Sequence, residues 1–195
     1  MSRGSEHRQA DHAIERLFLD RWSPRAMSGE AIPHEDLMVL FEAARWAPSS
    51  YNDQPWRILY AHRGSDHWPL FFDLLMDLTK VWARNAGVLL LFISHTMLSA
   101  TGKVAKTNSF DTGAAWQNLA LQATLKGYVV HGMQGFDYER ARTALNIPDG
   151  YRVEAMAAIG KPGKKEDLPE ELQKRETPNA RRPLKDTICD GPFRL

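Results

Sequence analysis

Hydrophobic positions repeat with helical spacing early in the chain. Leu37, Leu40, Phe41 and Ala44 fall at i, i+3, i+4 and i+7, Glu35 and Asp36 suit a first turn, and Pro48 ends the run. A shorter helix is expected over Ala13 to Leu19, followed by irregular chain at Arg21-Trp22-Ser23-Pro24-Arg25, where Pro24 turns Ser23 away from helical geometry. Trp56 to Ala61 reads as a strand. An amphipathic helix over Asp66 to Trp82 would then put Phe71, Leu74, Leu75 and Leu78 on one face. Ala86 to Ser94, apolar apart from Gly87 and the closing Ser94, is expected to be a buried strand.

From Thr112 to Lys126 the pattern changes. Nearly every face carries Ala, Leu or Trp, relieved by Gln117, Asn118 and Gln122, with Asp111 as the expected cap and Gly127 as the stop. A helix apolar all round is buried on several sides, in the core of one chain or against a second subunit. Tyr128 to His131 is a short strand, Asp137 caps a helix to Leu145, Ile147 to Gly150 is a turn, and Tyr151 to Gly160 is the last strand. Beyond Lys161-Pro162-Gly163 the tail, residues 164–195, is charged, with one short helix near Glu170 and little core of its own. The elements amount to an α+β fold of about four strands covered by helices.

Composition narrows the function classes. The 195 residues suit one domain, 1–195, with 43% hydrophobic and 25% charged residues. Lys+Arg 25 against Asp+Glu 24 leaves a net charge of +1, which argues against nucleic acid as a bulk partner but leaves room for a local phosphate site. The single Cys189 excludes an internal disulfide and a cysteine-built metal site. No apolar run is long enough to cross a bilayer, and the polar stretch Met1 to Asp11 has no hydrophobic signal region. The expectation is a cytoplasmic protein without metal, nucleic-acid or membrane partners, its residues 1–10 forming a flexible arm.

Familiar chemical motifs are missing. There is no G-x-G-x-x-G after a strand, no P-loop, no paired-histidine zinc motif and no G-x-S-x-G elbow. Polar loop clusters remain. Arg21, Ser23 and Arg25 alternate on an extended segment, either to meet an anion or as a solvated basic turn. The run Ala47-Pro48-Ser49-Ser50-Tyr51-Asn52-Asp53-Gln54-Pro55-Trp56 sets hydroxyls and amides between two prolines, matching the edge of a heteroaromatic ring or simply a bonded turn. Gln134-Gly135 joins a strand end to a helix start, where glycine lets a flat ligand approach the backbone. Arg181-Arg182 is either half of a phosphate clamp or part of a solvated tail.

Taken in order, R-x-S-x-R at Arg21, A-R-W-A-P-S-S-Y-N-D-Q-P-W-R ending at Arg57, D-T-G-A-A-W-Q-N-L-A-L-Q-A from Asp111, M-Q-G-F-D from Met133 and I-G-K-P from Ile159 resemble the nitroreductase family of flavoproteins. The resemblance runs from about Arg21 to Ile188. It implies a three-layer α/β/α fold with a mainly antiparallel sheet of four to five strands, in an intertwined homodimer. It also implies FMN as cofactor and NADH or NADPH as co-substrate. Reduction of small organic acceptors such as nitroaromatics or quinones would follow in ping-pong order, with the chemistry carried by the flavin N5 and no certain protein catalyst. Narrower members that dehalogenate or fragment flavin, and a flavin binder without catalysis, are the alternatives.

Carried over residue by residue, the resemblance implies that Arg21, Trp22, Ser23 and Arg181 surround the FMN phosphate and that Arg25 lies near the N1/O2 edge. Pro48, Ser49, Ser50 and Asn52 would reach the flavin from the other subunit, with Gln54 nearby, while Gln134 and Gly135 line the ring near N5. The helix from Thr112 would form the dimer core and the tail would embrace the partner. Two departures stand out. Asn179 occupies a position where some members carry lysine, which shifts weight to Arg182, and the short stretch Met97 to Phe110 leaves the acceptor pocket open.

Overall fold

A computed structural model describes residues 3–193. Its centre is strand β2, Val88–His95, every residue of which is buried except the last. Side chains alternate across a strand, and both sets here are apolar. Leu89, Leu91 and Ile93 enter one core and Val88, Leu90 and Phe92 the other. Strands β1 (Trp56–His62), β3 (Val129–Met133) and β4 (Tyr151–Gly160) complete an antiparallel sheet in the order β1-β2-β4-β3. Helices α2 (His34–Arg45) and α5 (Asn108–Leu125) cover one face through Leu37, Leu40, Ala115 and Leu119. Helices α3 (Trp68–Phe72), α4 (Asp77–Ala83) and α6 (Tyr138–Ala144) cover the other, through Phe71, Trp82 and Ala141. The expected three layers are present, with four strands.

Most expected elements fall where the periodicity put them, and the differences have physical causes. The first helix is a single turn and a half, α1 (Arg16–Asp20). The helix expected over 66–82 is two, because the chain between α3 and α4 pairs with the loop after β3. Met76 N–H donates to the Gly135 carbonyl at 2.9 Å and Asp137 N–H to the Leu74 carbonyl at 2.9 Å. Leu75 forms an isolated bridge with Phe136, and Leu78, expected on the buried face, is 85% exposed. Helix α5 begins a turn earlier than expected, so Asp111 is not its cap but a buried first-turn carboxylate. The carboxylate is not idle: Oδ2 accepts from Ser50 N–H and from the Thr107 hydroxyl, both at 3.1 Å.

Residues 3–10 and the first half of the tail make more contacts than expected. Residues 3–10 are not a frayed arm. Gly4 is buried, Ser5 hydrogen-bonds to Asp20 through N–H and hydroxyl, and Arg8 bonds to carbonyls of three other residues. The tail is anchored over its first half. Met27 bridges Pro162, and a Cβ on Gly163 would stand 2.6 Å from the Met27 backbone, so only glycine fits that approach. Leu168 and Glu176 are buried, and Glu170–Gln173 forms the short helix α7. From Asn179 to Phe193 every residue is exposed. Among the described residues no helix is long and apolar enough to cross a membrane, and no cluster of side chains suits a metal ion.

Leu119 tests this packing. It is wholly buried between α2 and the sheet. Leu119→Ala is expected to lower unfolding free energy by about 2–5 kcal/mol in urea titrations followed by circular dichroism, through lost transfer energy and a residual cavity. A loss below about 1 kcal/mol would show that α5 does not hold the second core together.

Candidate functional site

The irregular segment after α1 lies along the β3 edge of the sheet. Pro24 is buried and its carbonyl accepts from the imidazole of His131 on β3, at 3.1 Å from Nδ1. That bond puts the proton on Nδ1. Trp82 packs on the same ring, 4.6 Å between centroids. Burial, aided by the charges of Arg25 and Arg21, pulls His131 down from its ordinary value to about 4, so the imidazole is neutral near pH 7. It supports the loop without adding to its charge.

On this support the arginines converge. The Arg21 guanidinium donates to the Ser23 hydroxyl at 3.2 Å. Burial lowers its proton affinity, and the like charges of Arg8 and Arg181 lower it further. Arg181 reaches back to the Asn179 carbonyl at 3.3 Å, the same oxygen that accepts from Arg8 Nε at 2.7 Å. Among the described residues none of these three arginines has a carboxylate within ion-pair distance. Converging guanidiniums without a counter-charge, those of Arg8 and Arg21 partly desolvated, make a place for an anion. Arg182 lines a cleft of about 600 Å³ with Arg8 and Arg181 but is not among the cations felt by Arg21, so Arg181 carries the tail's share at Arg21.

Arg25 has a different setting. Glu176, 7% exposed, accepts from the backbone N–H groups of Arg25 and Ala26 at 2.6 and 2.8 Å through one oxygen. Its other oxygen lies 3.8 Å from the Arg25 guanidinium and accepts no hydrogen bond among the described residues. Burial lowers the proton affinity of Arg25 while the Glu176 charge raises it. The tail thus fixes the end of the loop by ionic hydrogen bonds. At the end of β3 Gly135 is pressed against Thr79, whose hydroxyl would stand 2.5 Å from an added Cβ. The Gly135 N–H meets no acceptor among the described residues. Gln134, beside it, is exposed.

The serine-rich loop sits elsewhere. Exposed Pro48 leads from α2 into Ser49 and Ser50, both half-buried. Tyr51, Asn52 and Gln54 all have positive φ (55°, 54° and 49°), an arrangement that costs non-glycine residues energy and must be held. Ser49 holds it from within: its carbonyl accepts from Asn52 N–H and its hydroxyl from Gln54 N–H, each at 3.0 Å. Asp111 pins Ser50, and Asp53 accepts from Ser99 N–H at 2.8 Å. This loop opens into β1, whereas Arg21, Ser23, Arg25, Gln134 and Gly135 gather at β3. Three strand spacings, roughly 14 Å, separate those edges. One chain therefore assembles two groups of expected contacts, not one. Arg8, His131 and Glu176 were missed in the sequence. None has a local motif, and only a buried neighbour across the fold gives each its role.

Comparison with known proteins agrees with this architecture. The family model described as the nitroreductase family matches residues 19–81 and 72–161. A crystal structure of an oxidoreductase containing FMN superposes with a TM-score of 0.92 at 48% identity, covering 96% of each chain. An uncharacterized 15.4 kDa protein from the ask 5' region of Mycolicibacterium smegmatis is 33% identical over 132 residues, 66% of this chain and 88% of that protein. A Thermus thermophilus NADH dehydrogenase is 26% identical over 177 residues, 74% of this chain and 84% of that protein.

The His131 brace has a pH signature. Its folded value of about 4 lies below the ordinary 6.5, so the unfolded chain takes up the proton first. The stabilisation is complete above pH 6.5 and is lost as pH falls towards 4. Urea titrations across that window should show a loss for the wild type that is smaller in His131→Gln. Parallel profiles would show that the imidazole plays no such part.

Proposed function

The chain belongs to the nitroreductase family, and from that premise we propose that it is an FMN-dependent oxidoreductase working as a homodimer. It takes reducing equivalents from NADH or NADPH and passes them, in ping-pong order, to small organic acceptors such as nitroaromatics or quinones. The observation that carries this reading is the meeting of Arg21, Ser23 and Arg181 without a carboxylate. That group suits a terminal phosphate, and no fold for an adenosine extension accompanies it, which favours FMN over FAD. When bound, FMN supplies the two-electron transfer. The 48% identical relative, described as an oxidoreductase containing FMN, supports the cofactor, and the Thermus relative's name supports NADH.

The protein's part is binding and electrostatics. Arg21 and Arg181 would hold the phosphate by charge-assisted hydrogen bonds, with the Ser23 hydroxyl as a further donor and Trp22 beside them. Glu176 fixes the Arg25–Ala26 backbone and so presents the Arg25 side chain. A cation near the flavin N1/O2 edge favours the added negative charge of reduction, which raises the midpoint potential. Gly135, whose N–H meets no acceptor among the described residues, would offer its amide to the bound ring, with Gln134 beside it. Pro48, Ser49, Ser50, Asn52 and Gln54 would serve the site of the other subunit, which is why a second copy is required. The exposed tail from Asn179 and the large apolar side chains Phe110 and Leu125, 81% and 65% exposed on α5, would be covered in that dimer.

The purified protein should carry FMN, identified by chromatography, and its visible absorption should bleach on adding NADH or NADPH. Colour that persists with both would make the protein a binder without catalysis. Light scattering should give a dimer at micromolar concentration.

The two loop arginines should differ in effect. Arg21→Ala is expected to weaken FMN binding about 10- to 150-fold, from a lost ionic hydrogen bond of ~1.5–3 kcal/mol, with turnover restored by excess FMN. Arg25→Ala should keep more flavin and lower its midpoint potential by tens of millivolts, each ~30 mV corresponding to ~1.4 kcal/mol. An unchanged potential together with flavin loss as severe as in Arg21→Ala would make both residues phosphate ligands.

A further inference from the structure

The family match begins at residue 19, yet the anion site does not. Arg8 lies in the segment ahead of it and spends three of its five N–H donors on backbone carbonyls. Nε reaches Asn179 at 2.7 Å, and Nη1 reaches Leu19 at 3.0 Å and Arg21 at 2.8 Å. These three carbonyls belong to α1, the Arg21 loop and the tail that bears Arg181. The two donors on Nη2 meet no acceptor among the described residues. The segment is built to deliver this side chain. Ser5 bonds to Asp20, Arg16 donates to the Ser5 hydroxyl at 3.0 Å and pairs with Asp20 at 3.4 Å, and a Cβ on Gly4 would collide with the Leu19 carbonyl at 2.0 Å.

We propose that Arg8 is a third arginine ligand of the cofactor phosphate, and that residues 3–18 form a segment of the binding site that closes around that anion. The inference rests on the FMN reading above. A mere strut between three carbonyls needs donors only. It gives no reason for a guanidinium to be set, partly desolvated, beside Arg21 and Arg181 when the nearby carboxylate Asp20 is engaged by Arg16 and Ser5. An anion facing Nη2 removes the mutual repulsion of the three cations and uses the donors the protein leaves unspent.

The test compares FMN with riboflavin, which differs by the phosphate alone. Dissociation constants are measured by quenching of flavin fluorescence on deflavinated full-length protein, for the wild type, Arg8→Gln and Arg8→Lys. Arg8→Gln should weaken FMN about 10- to 150-fold and riboflavin less than about threefold, with Arg8→Lys in between for FMN. FMN affinity within about threefold of wild type, or equal weakening of both flavins, overturns the proposal; equal weakening identifies a strut. Should Arg8→Gln not fold, limited proteolysis of the wild type decides. FMN must protect residues 3–18 more than riboflavin at matched occupancy, and equal protection overturns the proposal. A wild-type protein that binds no FMN overturns the FMN reading itself, a different result from tight FMN binding indifferent to Arg8.

Discussion

A strand apolar on both faces governs this molecule. Val88 to Ile93 cannot leave either face in water, since each fully buried Leu, Val, Ile or Phe is worth roughly 1.5–3 kcal/mol of transfer free energy. Helices must therefore lie on both sides, and the strand must sit inside the sheet with a partner at each edge. Everything without that apolar character is pushed to the margins. The polar loops that carry the candidate chemistry consequently lie at the two outer strands, β1 and β3, held by a scaffold that does not depend on them.

That placement explains the division of the site. The β3 edge receives the arginine loop, braced by a neutral imidazole below and an ionic clamp from Glu176 behind. The β1 edge receives the strained serine loop, braced by Asp111 from the first turn of α5. Each brace is a buried or half-buried polar group whose hydrogen bonds hold a neighbouring loop in place, so the two edges follow the same physical rule. A low local dielectric strengthens such bonds and also makes their absence costly, which keeps both loops in one conformation.

The chain ends follow from the same logic. Neither has apolar content enough to form a core, and each finds its order by binding to the other and to the sheet's edge. Arg8 and Arg181 share the Asn179 carbonyl, which joins the segment around Arg8 to the tail. Their convergence concentrates positive charge in a protein whose net charge is only +1. Bulk composition carries no trace of it.

The sequence by itself determined the elements that rest on local chemistry. Tyr151–Gly160 was legible from its β pattern between a turn and Lys161-Pro162-Gly163, the cap of α6 from Asp137, and α2 from its spacing and Pro48. The motifs also marked the loops around Arg21, Ser49 and Gly135, because prolines, glycines and alternating polar residues restrict the backbone wherever they occur. The break between α3 and α4 was not legible: helical spacing continues through Leu74 and Leu75, and only the hydrogen bonds to the distant residues 135 and 137 outweigh it. Nor did any local signal give a role to Arg8, His131 or Glu176. Each finds a partner more than a hundred positions away, Arg8 at Asn179, His131 at Pro24 and Glu176 at Arg25, and tertiary structure alone decides which groups share one desolvated volume.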